Sequence, residues 1–161
     1  MISVDSQPGV GTTFKILFSL ALDEKQSEQK YEPAITRGKG QRVLVVDDEP
    51  EILKAMQELL EYLGYKPELA ANGKKGLEQY QAKHPDAVLM DINMPEMDGI
   101  TCIEKILNYD PDANISIFSG YEEDGVEGMS QRAKDSIKDY LAKPVGLEAL
   151  SALLAKMLKE K

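Results

Sequence analysis

From Arg42 onward, short apolar runs alternate with stretches in which apolar residues recur every three or four positions. The runs VLVV (43–46), AVLM (87–90) and DYLA (139–142) are brief and bounded by polar residues, as in strands buried on both faces of a parallel sheet. Strands are predicted near 42–46, 66–70, 87–91, 114–119 and 137–141. Between them, Ile52, Met56, Leu59, Leu60 and Leu63 recur at helical spacing, as do Ile100, Ile103, Ile106 and Leu107, and later Leu147, Leu150, Leu153, Leu154 and Met157. Strict alternation of strand and helix predicts an α/β domain: a doubly wound, five-stranded parallel sheet with helices on both faces and right-handed crossovers. A helix is also expected near 122–134. It should be the weakest, because Gly125 and Gly128 each cost about 1 kcal/mol relative to alanine.

The pattern changes upstream. Residues 1–20 alternate in the manner of strands, with Phe14, Ile16, Phe18 and Leu20 on one face and a Pro-Gly turn inside SQPGVGT. This predicts a β-hairpin with a long connection. A two-stranded piece is marginal in water, so it reads as a fragment of a larger sheet. Residues 21–40 lack periodic apolar positions and mix charges of both signs, the composition of a flexible linker spanning about 25 Å. The organisation predicted is therefore hairpin 1–20, linker 21–40 and α/β domain 41–161.

Charge sharpens this division. Residues 1–40 carry five acidic side chains (Asp5, Asp23, Glu24, Glu28, Glu32) and five basic ones (Lys15, Lys25, Lys30, Arg37, Lys39), so the net −9 of the chain belongs to residues 41–161. Nucleic-acid binding is not expected of a surface of that sign. No apolar stretch reaches the roughly 18 residues of a membrane span, and direct membrane contact is not expected. Cys102 is the sole cysteine, which excludes an intrachain disulfide and suits a cytoplasmic setting. Its expected role is a small core residue on a helix.

The chemistry lies at the strand ends. In open parallel sheets, ligands bind beyond the carboxyl ends of the strands where the strand order reverses. Asp47, Asp48, Asp91, Ser119 and Lys143 all fall at or just past those ends. Each pair of converging carboxylates is repelled by about 1 kcal/mol in water and about 4 at an effective dielectric of 20, so a divalent cation is expected among them. Oxygen ligands favour a hard ion such as Mg²⁺, and a lysine beside it adds a second positive charge for a phosphoryl group. Each residue also has an ordinary reading. Asp47 or Asp48 could cap the helix starting near Pro50, Asp91 could be a turn residue, Lys143 a surface lysine and Ser119 a loop hydroxyl. Neither GVGTTF nor GKGQR has the spacing of a P-loop. His84 precedes a proline in a predicted turn and reads as a solvated loop residue.

The segments VLVVDDEP (43–50), MDINMPEMDG (90–99), IFSG (117–120) and DYLAKP (139–144), in this order, resemble the receiver domain of two-component response regulators. The resemblance covers about 120 residues and implies the flavodoxin-like strand order 2-1-3-4-5. It implies Asp91 as phosphoacceptor from a phosphohistidine. Asp48, Asp91 and the backbone carbonyl of Asn93 would bind Mg²⁺, with Asp47 holding a metal-bound water. Lys143 and Ser119 would contact phosphoryl oxygens, and Ser119 with Tyr140 would form a switch that alters the face made by the fourth helix, last strand and last helix. A cis peptide bond before Pro144 is also implied. Ser136 and Ile137 depart from the family's usual Gly-Ala pair before the last strand.

The piece SVDSQPGVGTTFKILFSL (3–20) resembles the closing hairpin of the ATP-binding domain of sensor histidine kinases. A hybrid kinase with a C-terminal receiver is then the expected parent, attached to a membrane or not, while this chain lacks the kinase's catalytic motifs. Expected partners are a histidine kinase or a histidine-phosphotransfer protein, with dimerisation open through the hairpin or the switch face. Two other readings stand beside the phosphoacceptor: an inert receiver-like docking module, and a Mg²⁺-dependent phosphohydrolase. The hydrolase usually requires an acid where Asn93 stands.

Overall fold

The computed structural model describes residues 2–9, 11–16, 35–120 and 128–158. The chain divides into two compact units, Met1–Glu32 and Pro33–Lys161.

In the first unit, strands β1 (Ile2–Gln7) and β2 (Gly11–Ile16) pair antiparallel. Ser6 and Gln7 join the strand, so the connection is shorter than the long one expected; Gly9 turns it at φ +80°. Ile2 faces Ile16 and Val4 faces Phe14 across the ladder, and all four are exposed. Phe18 and Leu20, expected on the same face, lie outside the described residues.

The second unit carries five parallel strands: β3 (Arg42–Val46), β4 (Lys66–Ala70), β5 (Ala87–Met90), β6 (Ile115–Ser119) and β7 (Ile137–Ala142), ordered β4-β3-β5-β6-β7. This is the expected order 2-1-3-4-5 when the sheet is counted from its own first strand. Among the described residues, five helices connect and cover it: α1 (Pro50–Tyr62), α2 (Gly73–Lys83), α3 (Gly99–Tyr109), α4 (Gln131–Ser136) and α5 (Leu147–Leu158).

Alternate strand residues face opposite layers, so each apolar run supplies two cores. Leu44, Val46, Val88, Met90, Ile115 and Ile117 pack with Tyr80 of α2, Cys102, Ile103 and Ile106 of α3 and Ala133 of α4. Val43, Val45, Ala87, Leu89 and Phe118 pack with Met56 and Leu60 of α1 and Leu150, Leu153 and Leu154 of α5. Gly76 in α2 is explained by close approach: a Cβ there would lie 2.9 Å from Val46.

Three expectations shift at element edges. Residues 35–40, placed in the linker by composition, belong to the second unit, where Thr36 and Gly38 make hydrogen bonds to it; residues 21–34 lie outside the description. Of the helix expected near 122–134, residues 121–127 are outside the description; among the described residues Gly128 has φ +93° and a helix runs over Gln131–Ser136, started by the Ser130 hydroxyl accepting from the Ala133 amide. Ser136 therefore ends a helix and Ile137 begins β7 directly.

Candidate functional site

The carboxyl edge of the sheet brings Asp47, Asp48 and Asp91 together because β3 and β5 are neighbours although two helices and a strand separate them in sequence. The Asp47 amide donates to Ala70 O at 3.0 Å and the Asp91 amide to Val46 O at 2.9 Å. These bonds continue the ladder one residue past each strand, so both side chains leave the sheet side by side. One carboxylate oxygen from each of the three aspartates lies within 4.8 Å of the others.

The chain after Asp91 folds back sharply. The Gly99 amide donates to Ile92 O at 2.9 Å, and a Cβ at Gly99 would sit 1.9 Å from the Asp91 carbonyl oxygen. Asp98 caps α3, accepting from the Thr101 amide at 2.7 Å and the Thr101 hydroxyl at 3.0 Å. The MPEMDG segment is thus a turn and a cap that lock the backbone of the Asp91 loop. Asn93 lies in this loop with an exposed side chain, and its amide reaches Asp91 Oδ1 at 3.4 Å.

Lys143 arrives from the far strands. Its amide donates to Ser119 O at 3.0 Å, Ser119 pairs with Ala142 in the β6–β7 register, and the Lys143-Pro144 bond is cis as the family implies. The ammonium lies 2.8 Å from Asp91 Oδ2 and 2.6 Å from Asp47 Oδ2, with Glu49 Oε1 at 3.8 Å. It also sits 5.0 Å above the centre of the Phe118 ring, within range of a cation–π attraction. Ser119 is buried at the end of β6, and Tyr140 is partly exposed on β7.

The ordinary readings fail for the central residues. Glu49, not Asp47 or Asp48, is the N-cap residue of α1, and its side chain makes no capping bond. Asp47 is fully buried, Asp91 nearly so, and the Lys143 side chain is only 11% exposed, so none is a solvated surface group. Glu49 and Phe118 were missed by sequence reasoning. Glu49 looked like one more acid in a helix's first turn, and Phe118 like one more core residue of a strand; only their distance to Lys143 marks them.

Electrostatics fit this geometry. Burial pushes the Asp47 carboxyl above the usual carboxylate range and the Asp91 charge adds to it, although Lys143 and the Glu49 amide pull the other way. Burial lowers the Lys143 ammonium, but hydrogen bonds to Asp47 and Asp91 outweigh it and hold the group above an ordinary lysine. Lys143 is therefore a fixed cation. Asp47 Oδ2 is buried and, among the described residues, is met only by the Lys143 ammonium at 2.6 Å. A buried carboxylate oxygen with spare capacity, beside two further carboxylates, fits a hard divalent cation. Cys102 plays no part: burial raises its thiol to about 12 and its Sγ–H contacts Gly73 O at 3.2 Å in the core.

His84 is also away from the site. It ends α2 with φ 44° and is exposed, as expected of a solvated loop residue, while its ring stacks on the half-exposed Tyr109, ring centres 5.9 Å apart.

An open parallel sheet that gathers three aspartates and one buried lysine at its carboxyl edge defines the receiver-like class of α/β signalling domains. The chain belongs to the response regulator receiver domain family, whose model matches residues 43–155. It is 39% identical over 126 residues to the chemotaxis protein CheY of Treponema pallidum (strain Nichols), covering 76% of this chain and 85% of that protein. It is 32% identical over 169 aligned positions to the sensor kinase CckA of Brucella abortus (strain 2308), covering 99% of this chain but 18% of that much longer protein. Among solved structures, the response regulator TrrA of Thermotoga maritima in complex with Mg²⁺ and BeF superposes with TM-score 0.66 at 29% identity, covering 73% of this chain and 99% of that one.

Proposed function

We propose that this domain accepts a phosphoryl group on Asp91 from a phosphohistidine and passes the change to its signalling face. One observation carries the reading: Asp47, Asp48 and Asp91 converge while the Lys143 ammonium holds the Asp91 carboxylate at 2.8 Å. Asp91 Oδ attacks phosphorus, the O–P bond forms, the N–P bond of the donor breaks, and the departing imidazole keeps the electron pair. Lys143 holds the carboxylate in place before transfer and a phosphoryl oxygen afterwards. Ser119 supplies its hydroxyl to another. Asp47, Asp48, Asp91 and the Asn93 carbonyl would hold Mg²⁺, which when bound spreads the charge of the transferring group. The TrrA complex with Mg²⁺ supports the choice of metal.

The partners proposed are a histidine kinase or a histidine-phosphotransfer protein, met in the cytoplasm. The alignment with the sensor kinase runs through the hairpin and linker as well as the receiver, and this supports a hybrid kinase as the parent protein. In that parent, β1 and β2 would close the sheet of the ATP-binding domain, covering Ile2, Val4, Phe14 and Ile16. The present chain is then a signalling module rather than an enzyme.

The test is incubation with acetyl phosphate and Mg²⁺, read by intact mass, beside Asp91→Asn. One added phosphoryl group that is absent from the variant is the expected result. No gain in the wild-type chain would overturn the reading and favour the inert docking module.

A further inference from the structure

The segment Ile35–Gly40 is tied to the receiver at points that do not belong to the phosphoacceptor site. Thr36 makes two hydrogen bonds to one buried side chain: its amide donates to Ser151 Oγ at 2.9 Å, and the Ser151 hydroxyl donates to Thr36 O at 3.0 Å. Such a bidentate pairing mimics a strand partner and fixes the local backbone. Arg37 Nη1 donates to Tyr62 O at 2.6 Å while its guanidinium lies 4.7 Å from the centre of the Tyr62 ring. The Gly38 amide donates to Leu63 O at 2.8 Å and the Gly40 amide to Gly64 O at 2.9 Å. Gly38 lies flat on Tyr65, where a Cβ would come within 2.4 Å of the ring, and Gly64 opposite it needs φ +84°. These are contacts to α5, to the end of α1 and to the turn before β4.

Ser151 is the informative residue. It is a hydroxyl on the buried side of an otherwise apolar helix face, among Leu150, Leu153 and Leu154, and burying it is costly unless it is hydrogen-bonded. Thr36 supplies that bonding. The same helix starts at Leu147, after Val145 and Gly146 have followed Lys143-Pro144, and Leu150 and Leu154 share a core with Phe118, on whose ring the Lys143 ammonium rests. α5 is therefore the element common to the site and to the docked segment.

We propose that residues 35–40 are a latch, an intrachain docking segment whose hold on Ser151 depends on the position of α5, so that the chain preceding the receiver feels the state of Lys143. The dependence on site state rests on the phosphoacceptor reading above; the docking itself does not. A movement of α5 at its Lys143 end is then passed to residues 35–40 through Thr36.

The experiment is hydrogen exchange by mass spectrometry on peptides covering 35–41 of the full chain, wild type beside Ser151→Ala and Gly38→Ala, with and without Mg²⁺ and beryllofluoride. Without the added ions, each variant is expected to raise exchange across 35–41 by about tenfold or more, Ser151→Ala by removing both hydrogen bonds to Thr36 and Gly38→Ala by setting a methyl against the Tyr65 ring, while peptides of β3 and β5 stay unchanged. With the ions, exchange across 35–41 in the wild type is expected to change by at least threefold, and Ser151→Ala to abolish the difference. Wild-type residues 35–41 exchanging as fast as free chain, or both variants leaving them unaffected, would overturn the latch. Unchanged exchange at 35–41 in protein whose Asp91 peptides show that the ions have bound would overturn the coupling. Failure of the Asp91 peptides to respond would count against the phosphoacceptor reading instead, and would leave the latch judged by the ion-free comparison.

Discussion

Lys143 and Asp91, 52 residues apart, are joined by an Nζ–Oδ2 hydrogen bond of 2.8 Å, and the same ammonium touches Asp47. One cation thus bridges two buried carboxylates that would otherwise repel each other and offsets half of their charge. It also occupies charge that a metal ion would use, and the two effects can be separated.

Lys143→Ala is expected to bind Mg²⁺ roughly tenfold more tightly, because a like charge beside the metal is removed. The same variant should gain a phosphoryl group from acetyl phosphate roughly 10²-fold more slowly, having lost a donor to the transferring group. Titration calorimetry and timed intact mass check the two halves. Weaker metal binding in the variant would show that Lys143 organises the aspartates rather than opposing the cation.

Ser119 and Tyr140 lie on adjacent strands, in β6 and β7, whose ends meet at the Ser119–Ala142 register. Loading the site is expected to move the amide signals of Ser119, Gly120 and Tyr140, and Ser119→Ala should remove the shift at Tyr140 while leaving Asp91 able to accept the group. Nuclear magnetic resonance spectra that stay the same at Tyr140 would sink the proposed switch.

Gly99→Ala should be among the most damaging single-methyl additions in the domain. The new carbon would meet the Asp91 carbonyl 1.9 Å away, so the backbone carrying the phosphoacceptor must move. A loss of roughly 3 kcal/mol or more is expected from such overpacking against backbone, together with loss of phosphoryl gain. Thermal or denaturant melts supply the first number.

Asp98 gives the domain an acid-sensitive cap. The Thr101 amide, helped by the Thr101 hydroxyl, holds its carboxyl below the usual range against a smaller opposing effect of burial. A folded value below the unfolded one means that the unfolded chain binds more protons, so this stability is complete above about pH 4 and is lost as pH falls through the depressed value. Asp98→Ala should cost about 1 kcal/mol at neutral pH, mostly as lost capping, since the carboxylate is exposed and its charge screened. The wild type and variant should converge in strongly acid solution. Melts followed against pH check this, and Asp98→Asn should retain most of the cap without the acid limb.

Cys102 should ignore thiol reagents in the folded protein. With its thiol raised to about 12, roughly 10⁻⁴ of it is thiolate at pH 8, and it is enclosed between α3 and the sheet. Reaction with an aromatic disulfide is expected only at the rate of unfolding; rapid labelling would mean that α3 opens.

The strands were legible because burial on both faces leaves little freedom in composition: VLVV and AVLM could scarcely be anything else in an alternating α/β pattern. Helix stripes such as Leu150, Leu153 and Leu154 were legible for the related reason that one face must meet the sheet. The acidic residues and Lys143 could be recognised as a set because strand ends in a parallel sheet share an edge, so position in sequence implies position in space. Sequence alone thereby determined the class of fold and which side chains could meet.

Tertiary structure decided the rest, because it turns on approaches of a few ångströms between remote segments. It placed one ammonium against two carboxylates, set Phe118 beneath it and exposed Gly99 as a packing requirement. It also moved residues 35–40 from linker to domain. Their polar, glycine-containing composition is that of free chain, and their backbone partners, the Ser151 hydroxyl 115 residues from Thr36 and the carbonyls of Leu63 and Gly64, are remote in sequence. Composition reports what a segment can bury; it does not report where a hydrogen-bonding partner waits.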